Sequence, residues 1–465
     1  MKIAFHGAAR AVTGSKHLIT LKNNTQILLD CGLFQGMGDL TDDLNESFGF
    51  DPSLVSYLIL SHAHIDHCGL LPRLVAEGFK GNIYCTPATM DLARILMMDS
   101  AKIQTQDAEY ANRKKRQEES PEFPLYTEKD VIQTLSQFKV VNYNEDFQID
   151  ANVTLNLTDA GHIVGSAAVH LKINEEGKTT NLTFSGDVGR YGDLLLKSPQ
   201  SFPQADYVIM ESTYGDSLHQ DLEPIEKTLN EIIHQTCILK KGKVIIPAFS
   251  VGRTQELLYA LNAMELKNIL PDVQYYVDSP LSLQATEVLR SHPEVYNNGV
   301  KEVMKVDKDI FSFKGLKFIE SVEESKALNS DLRPCVIISS SGMAEGGRVK
   351  HHIRNNISDQ KNTILMVGYA EPRSLAGKLL AGQPKVWLFG QEYEVVADVR
   401  SIRSMSAHGD YEDLLQFLSG QDPNQVKHIF LVHGEYKVQQ IFAGHLNDKG
   451  FHNVTIPEYH QEFEL

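Results

Sequence analysis

The chain is poor in cysteine, with five in 465 residues (Cys31, Cys68, Cys85, Cys237 and Cys335). The number is odd, the five are scattered, and no C-x-x-C occurs. That excludes a disulfide scaffold and fits a reducing compartment. No apolar run approaches the roughly 20 residues that a membrane span needs. The opening Met1-Lys2-Ile3-Ala4-Phe5-His6-Gly7 breaks its apolar run too early for a signal peptide. There is no fixed-period repeat and no low-complexity linker. The chain reads as soluble and cytoplasmic. Positive charge is also scarce: Lys and Arg total 44 against 60 Asp and Glu, a net charge of −16. That excludes nucleic-acid binding through bulk charge. With 42% hydrophobic and 22% charged residues, the composition is that of a globular chain. Its length predicts two or three domains.

What is present is a series of short apolar runs that end in Gly, His or Asp. Residues 18–30 read as two strands joined at Lys22-Asn23-Asn24, and 54–60 as a buried strand followed by a helix from about Gly69 to Glu77. Helical spacing runs over 88–118, where the charged stretch Arg113 to Glu119 reads as a solvated face. Strands are predicted at 153–158, 167–173, 180–185 and 206–211. From about residue 215 the texture becomes βα alternation: helices at 224–238, 252–264 and 280–291, strands at 243–247, 273–277, 335–339 and 363–367. That alternation predicts a parallel sheet flanked by helices. The first texture returns at the end, with strand 427–432, helix 437–448 and strand 452–456.

The strongest chemical signal is Ser61-His62-Ala63-His64-Ile65-Asp66-His67, directly after the 54–60 strand. It sets four metal-ligand side chains within six residues, on a loop able to turn them into one pocket. His162, Asp187 and His433 repeat the placement just past later strands. A divided assignment satisfies coordination for two zinc ions. His62, His64 and His162 hold one, Asp66, His67 and His433 hold the other, and Asp187 bridges. Each ion keeps an open position for a shared water, as hydrolysis requires.

These runs, with Gly161-His162-Ile163-Val164-Gly165-Ser166 and Ser185-Gly186-Asp187, resemble the metallo-β-lactamase superfamily. Further segments resemble its β-CASP branch: His6 to Ser15, Leu29 to Gly36, Glu211-Ser212-Thr213-Tyr214-Gly215, Ile246 to Arg253, Ser340-Ser341-Gly342-Met343, Gly347-Arg348 and Ser406 to Asp410. They cover nearly the whole chain in family order and are similar to the RNA nucleases of that branch, including the pre-mRNA 3′-end endonuclease and its bacterial and archaeal relatives. The resemblance implies an α/β fold: an αββα metallo-β-lactamase sandwich (1–211 and 397–465) with an inserted β-CASP domain (212–396), a parallel sheet flanked by helices. It implies an active site in the cleft between the two. It also implies a zinc-dependent ribonuclease that uses a metal-bridged hydroxide, with Asp66 or Asp187 accepting a proton. His408 is the implied general acid, paired with Glu211, and Asp30 supports the metal ligands. His433 matches RNA-directed members, where DNA-directed ones carry an apolar residue.

Phosphate contacts are expected from Arg253, Ser340, Ser341, Gly342, Arg348, Arg373 and Lys378, with Lys350 and Arg354 as further candidates; small residues at a strand end suit a phosphate cradle. The partner is RNA, single-stranded, with no membrane and with a homodimer left open. The sandwich is expected to begin at Met1 with no added RNA-binding module and to end without an extra domain. The acidic charge then predicts an acidic exterior around a narrow basic, metal-bearing groove. The competing readings are a DNA nuclease on the same scaffold, a small-molecule hydrolase, and a metal-free RNA-binding subunit. Endonuclease and 5′-exonuclease modes both stay open.

Overall fold

The fold is taken from a computed structural model that describes residues 1–114, 120–219, 224–368, 370–402 and 405–465, without the side chain of residue 39. The chain forms two compact units, residues 1–218 with 408–465, and residues 219–407.

The first unit is built on two seven-stranded sheets. One runs in the order Glu462–Glu464, Lys2–Phe5, His17–Thr20, Gln26–Leu29, Tyr57–Ile59, Ile83–Cys85, Phe138–Val140. The other runs Val454–Thr455, His428–Val432, Tyr207–Glu211, Lys178–Phe184, Ala167–Glu175, Val153–Asp159, Phe147–Gln148. Alternation along the strands points one set of side chains from each sheet into a shared core. Ile3, Phe5, Ile27, Leu29 and Ile59 there meet Leu155, Val169, Leu171, Phe184, Ile209 and Phe430. The opposite side chains of the second sheet, such as Val208, Met210, Ile429 and Leu431, pack on Leu414, Phe417, Phe442 and Leu446 of the helices Tyr411–Phe417 and Tyr436–Asp448. Helices flank the sheets, giving the layered α/β/β/α arrangement.

The second unit holds a six-stranded, wholly parallel sheet in the order Leu316–Phe318, Gln274–Asp278, Cys335–Ser339, Lys243–Pro247, Thr363–Val367, Asp398–Ile402. Its connections carry helices, as parallel pairing requires. Helix Pro280–Ser291 starts sharply: Ser279 accepts from Ser282 N–H and Pro280 opens the first turn. A hairpin, Lys385–Leu388 with Gln391–Glu394, stands apart from the sheet.

Some predicted elements differ in extent. The 54–60 strand shortens to Tyr57–Ile59 because Asp51 caps a tight turn over Pro52–Leu54. The helix read from about Gly69 to Glu77 becomes Ile65–Cys68 and Leu71–Ala76, the second begun by Pro72 in its first turn. The helix over 88–118 is described as Pro87–Lys114; residues 115–119 of its charged stretch lie outside the described residues. The helix over 224–238 is Ile225–Ile233, continued by a wider π-type turn through Leu239. Among the described residues no helix is long and apolar enough to cross a membrane.

Candidate metal centre

Strand register in the first unit brings the candidate ligands to one edge. Leu29 pairs with Ile59 in one sheet and Glu211 with Val432 in the other, so Asp30 and the Ser61–His67 segment follow neighbouring strands of the first, and Glu211 and His433 end and follow neighbouring strands of the second. His162 follows Val153–Asp159, and Asp187 follows Lys178–Phe184. Ligand sites at the carboxyl ends of strands are the rule for sheets of this kind. Two loops meet closely there: a Cβ on Gly189 would fall 1.9 Å from Gly161 O, so glycine at 189 is a steric requirement.

Among the described residues three overlapping groups result, all within this unit: His62, His64, His162 and Asp187; Asp66, His67 and His433; Asp187, Glu211 and His408. In the first, His64 Nδ1 lies 3.1 Å from both His62 Nε2 and His162 Nε2. Asp187 Oδ2 lies 3.5 Å from each of those two Nε2 atoms. In the second, His433 Nε2 lies 3.2 Å from His67 Nε2 and 3.4 Å from Asp66 Oδ2. Asp187 Oδ2 is also 3.3 Å from His67 Nε2, so a single carboxylate oxygen faces both groups.

The donor set fits metal ions. Zinc holds N and O ligands at about 2.0–2.2 Å, which puts tetrahedral ligand atoms roughly 3.3–3.6 Å apart, close to the 3.1–3.5 Å between these atoms. Asp187 Oδ1 is buried without a hydrogen-bond partner among the described residues. Charge tells the same story. Asp30, Asp66 and Asp187 converge with only imidazoles as ionic partners among the described residues. Burial pushes His62 well below its ordinary pKa, and His64 to about 4, favouring the neutral imidazole that binds metal. His67 goes the other way. Burial would lower it, yet Asp187, Asp30 and Asp66 raise it well above the usual range. The carboxylates thus favour a cation at this point. Asp66 is held at about 2, its burial outweighed by His67 and His433.

Supporting bonds fix the imidazoles. Asp30 is fully buried and sits 2.7 Å from His67 Nδ1. It also accepts from Ser61 N–H at 2.8 Å and from the Ser61 hydroxyl at 2.8 Å. Ser61 Oγ lies 3.1 Å from His62 Nδ1, and Thr213 Oγ1 lies 3.0 Å from His433 Nδ1. Each such contact occupies Nδ1 and leaves Nε2 for a metal. Ser61 and Thr213 stand inside motifs that were legible in the sequence, but side-chain roles for them were not. The His6–Ser15 segment also gains a role: Ala8 and Ala11 carbonyls accept from His433 N–H (2.8 Å) and Gly434 N–H (3.1 Å). They hold His433 in a left-handed backbone conformation (φ 51°), as Asp30 also is (φ 57°), an arrangement that surrounding structure must enforce. Replacing Asp30 with Ala leaves buried donors of Ser61 and His67 unpaired. The expected cost is about 3–5 kcal/mol of stability and about 10–100-fold in metal affinity. Thermal unfolding and zinc retention against graded chelator check both.

His408 Nδ1 lies 3.2 Å from Glu211 Oε1. Glu211 also accepts from Val188 N–H at 2.6 Å and Thr213 N–H at 3.1 Å. Gly409 follows because the backbone is crowded: a Cβ there would come 2.7 Å from Asp413 Cβ. Asp410 then caps helix Tyr411–Phe417 in a reciprocal capping box with Asp413. Burial opposes the His408 charge, but Glu211, helped by Asp187 and Asp66, raises its pKa to about 9.

The expected phosphate contacts lie in the second unit. Arg253 is buried, its guanidinium 2.5 Å from Glu256. Arg348 is held by buried Asp278 at 2.6 Å, and Asp278 also meets His352 Nε2 at 2.6 Å and Ser325 Oγ at 2.5 Å. Ser340 Oγ donates to Ser279 Oγ at 3.1 Å, and Gly342 packs beside Phe249. Arg373 is exposed and paired with Glu371; Lys378 is exposed on helix Leu375–Leu380.

A layered sandwich with His and Asp clusters at its strand ends defines a metal-dependent hydrolase fold, and sequence comparison gives its family. Profiles match for a metallo-beta-lactamase superfamily domain over residues 18–182, a Beta-Casp domain over 254–379, and a Zn-dependent metallo-hydrolase RNA specificity domain over 392–457. The chain belongs to the β-CASP branch of the metallo-β-lactamase superfamily. It is 36% identical to ribonuclease TTHA0252 of Thermus thermophilus, over 94% of this chain and 93% of that one. It is 32% identical to the RNase J-like protein of Methanocaldococcus jannaschii, over 95% and 94%. It is 30% identical to the transcription termination factor FttA of the same organism, over 94% and 67%.

Proposed function

We propose that this chain is a zinc-dependent ribonuclease that hydrolyses RNA phosphodiesters with two metal ions per chain. The observation that carries the reading is Asp187 Oδ2, within 3.3–3.5 Å of imidazoles from both ligand groups. His62, His64 and His162 would hold one ion, Asp66, His67 and His433 the other, with Asp187 shared. Zinc bound there supplies Lewis acidity and lowers the pKa of coordinated water from about 15.7 to about 7.

The remaining work falls to this chain's side chains. Asp66 is 19% exposed where Asp187 is 2% exposed, so Asp66 is the carboxylate placed to take a proton from the attacking water. His408, 21% exposed, gives its proton to the departing oxygen. Glu211 orients the His408 imidazole and keeps it charged. In this reading residues 212–396 grip the substrate. Ser340, Ser341, Gly342, Arg373 and Lys378 face phosphate, while Arg253 and Arg348, already engaged by Glu256 and Asp278, stiffen the loops that do so.

Single-stranded RNA is expected to be cleaved in the presence of zinc. Chelation or His62→Ala should remove the activity, and zinc should restore it to the chelated enzyme only. Matched DNA should react far more slowly, since His433 follows the RNA-directed pattern. Undiminished cleavage after metal removal, or in His62→Ala, would sink the proposal; equal cleavage of DNA would replace it with a general nuclease.

A further inference from the structure

One surface of the second unit is explained neither by its core nor by the metal-type cluster. The hairpin Lys385–Leu388 with Gln391–Glu394 pairs Leu388 with Gln391, so Phe389-Gly390 is its two-residue turn. Both turn residues have positive φ, 52° and 78°. Turns of that type favour Asn-Gly, and a bulky aromatic in the first position is conformationally unfavourable. Burial does not compensate, because Phe389 is 48% exposed. Two residues earlier Trp387, the chain's single tryptophan, is 69% exposed, while its neighbours Val386 and Leu388 are in the core. The hairpin therefore presents two aromatic side chains that its own fold does not require.

The setting of the Phe389 ring is basic. Phe389 stacks on His351, centroids 4.5 Å apart and 26° between planes. Lys350 Nζ and the Arg354 guanidinium carbon lie 5.5 Å and 5.6 Å from the Phe389 ring centre. Among the described residues neither cation pairs with a carboxylate; Lys350 donates to the Glu345 backbone carbonyl at 3.1 Å. His351 is lowered by burial and then by the charges around it, that of Arg354 first. In a chain of net charge −16, this is a local concentration of cations around an exposed π-face.

We propose that this face docks single-stranded RNA, with bases stacked on Phe389 and Trp387 and phosphates met by Lys350 and Arg354. The proposal rests on the ribonuclease reading for its choice of ligand. Stacking platforms flanked by cations suit single strands, whose bases are free. A duplex hides its base faces and offers phosphates alone. A second copy of this chain is the poorer occupant, since a twofold contact would set the same cations against each other.

Trp387 makes the test direct. Metal-loaded His408→Ala protein is titrated with a 12-nucleotide single-stranded RNA, whose integrity is confirmed on a gel, and tryptophan fluorescence is followed. Saturable quenching is expected. Phe389→Asn should leave thermal stability unchanged or higher, because Asn accepts the turn conformation. It should raise the dissociation constant at least about fivefold, the loss of one stacked base. The double variant Lys350→Ala/Arg354→Ala should weaken binding and reduce the slope of log affinity against log salt by about 1.4. No quenching at saturating RNA, or wild-type affinity in both variants, overturns the proposal. So does a dimer, seen by light scattering, that Trp387→Ala converts to monomer. Quenching without wild-type cleavage would sink the ribonuclease reading and keep this surface; cleavage without quenching would do the reverse.

Discussion

Asp187→Ala is expected to lose both metals and to lower RNA cleavage by roughly 10³-fold or more, since loss of a group that only orients a ligand already costs about 10–100-fold. The reason is geometric. Asp187 Oδ2 stands 3.5 Å from His62 Nε2 and His162 Nε2 and 3.3 Å from His67 Nε2. Removing it takes a carboxylate from both proposed ligand groups at once. His433→Ala is the matched control, because His433 faces Asp66 and His67 and belongs to one ligand group only. Zinc per chain, measured by elemental mass spectrometry beside cleavage, should fall for both sites in the first variant and for one in the second. The fold should survive, because His67 keeps its 2.7 Å contact with Asp30 and the sandwich core lies on the strands behind. Wild-type zinc content and activity in Asp187→Ala would refute the shared-carboxylate arrangement.

The residues of this centre were legible in the sequence because ligand chemistry is local. His62, His64, Asp66 and His67 sit within six residues, and His162, Asp187 and His433 each follow an apolar run that reads as a strand. Their convergence is set by register, which pairs Glu211 with Val432 and Leu29 with Ile59 across long sequence distances, and no spacing rule carries that. Elements without a periodic signal were hidden. Ile83–Cys85 is three residues long and buried throughout, so it shows no alternation. Lys2–Phe5 becomes a strand through partners at His17–Thr20 and Glu462–Glu464. Arginines were the least legible. From sequence Arg253 and Arg348 read as phosphate contacts, yet Glu256, three residues on in the same helix, and Asp278, seventy residues away, engage their guanidinium groups. The Phe389-Gly390 turn was readable in principle, since an aromatic before Gly between two strand runs violates ordinary turn chemistry.

His408→Ala is expected to slow RNA cleavage by about 10²–10⁴-fold, the usual contribution of a positioned general acid, with zinc content unchanged. If its role is protonation of the departing oxygen, a substrate whose leaving group needs no proton should escape. Bis(p-nitrophenyl) phosphate hydrolysis should therefore fall far less than RNA cleavage in the same variant. The pH dependence gives an independent check. His408 must be protonated to act, so the rate is full below its pKa and is lost as pH rises through it. Burial opposes the charged form, but Glu211 at 3.2 Å, with Asp187 and Asp66, raises the pKa to about 9. Bound cations oppose that rise, so the alkaline limb should sit no higher than about 9. Glu211→Gln keeps the size and removes the charge, with the loss of one of the two oxygens that accept from Val188 N–H and Thr213 N–H. Its alkaline limb should move to lower pH, toward the roughly 6.5 of an ordinary imidazole, while the plateau at low pH changes less. An alkaline limb that stays in place in Glu211→Gln, or equal losses on both substrates in His408→Ala, would show that His408 is not the acid and that Glu211 does not tune it.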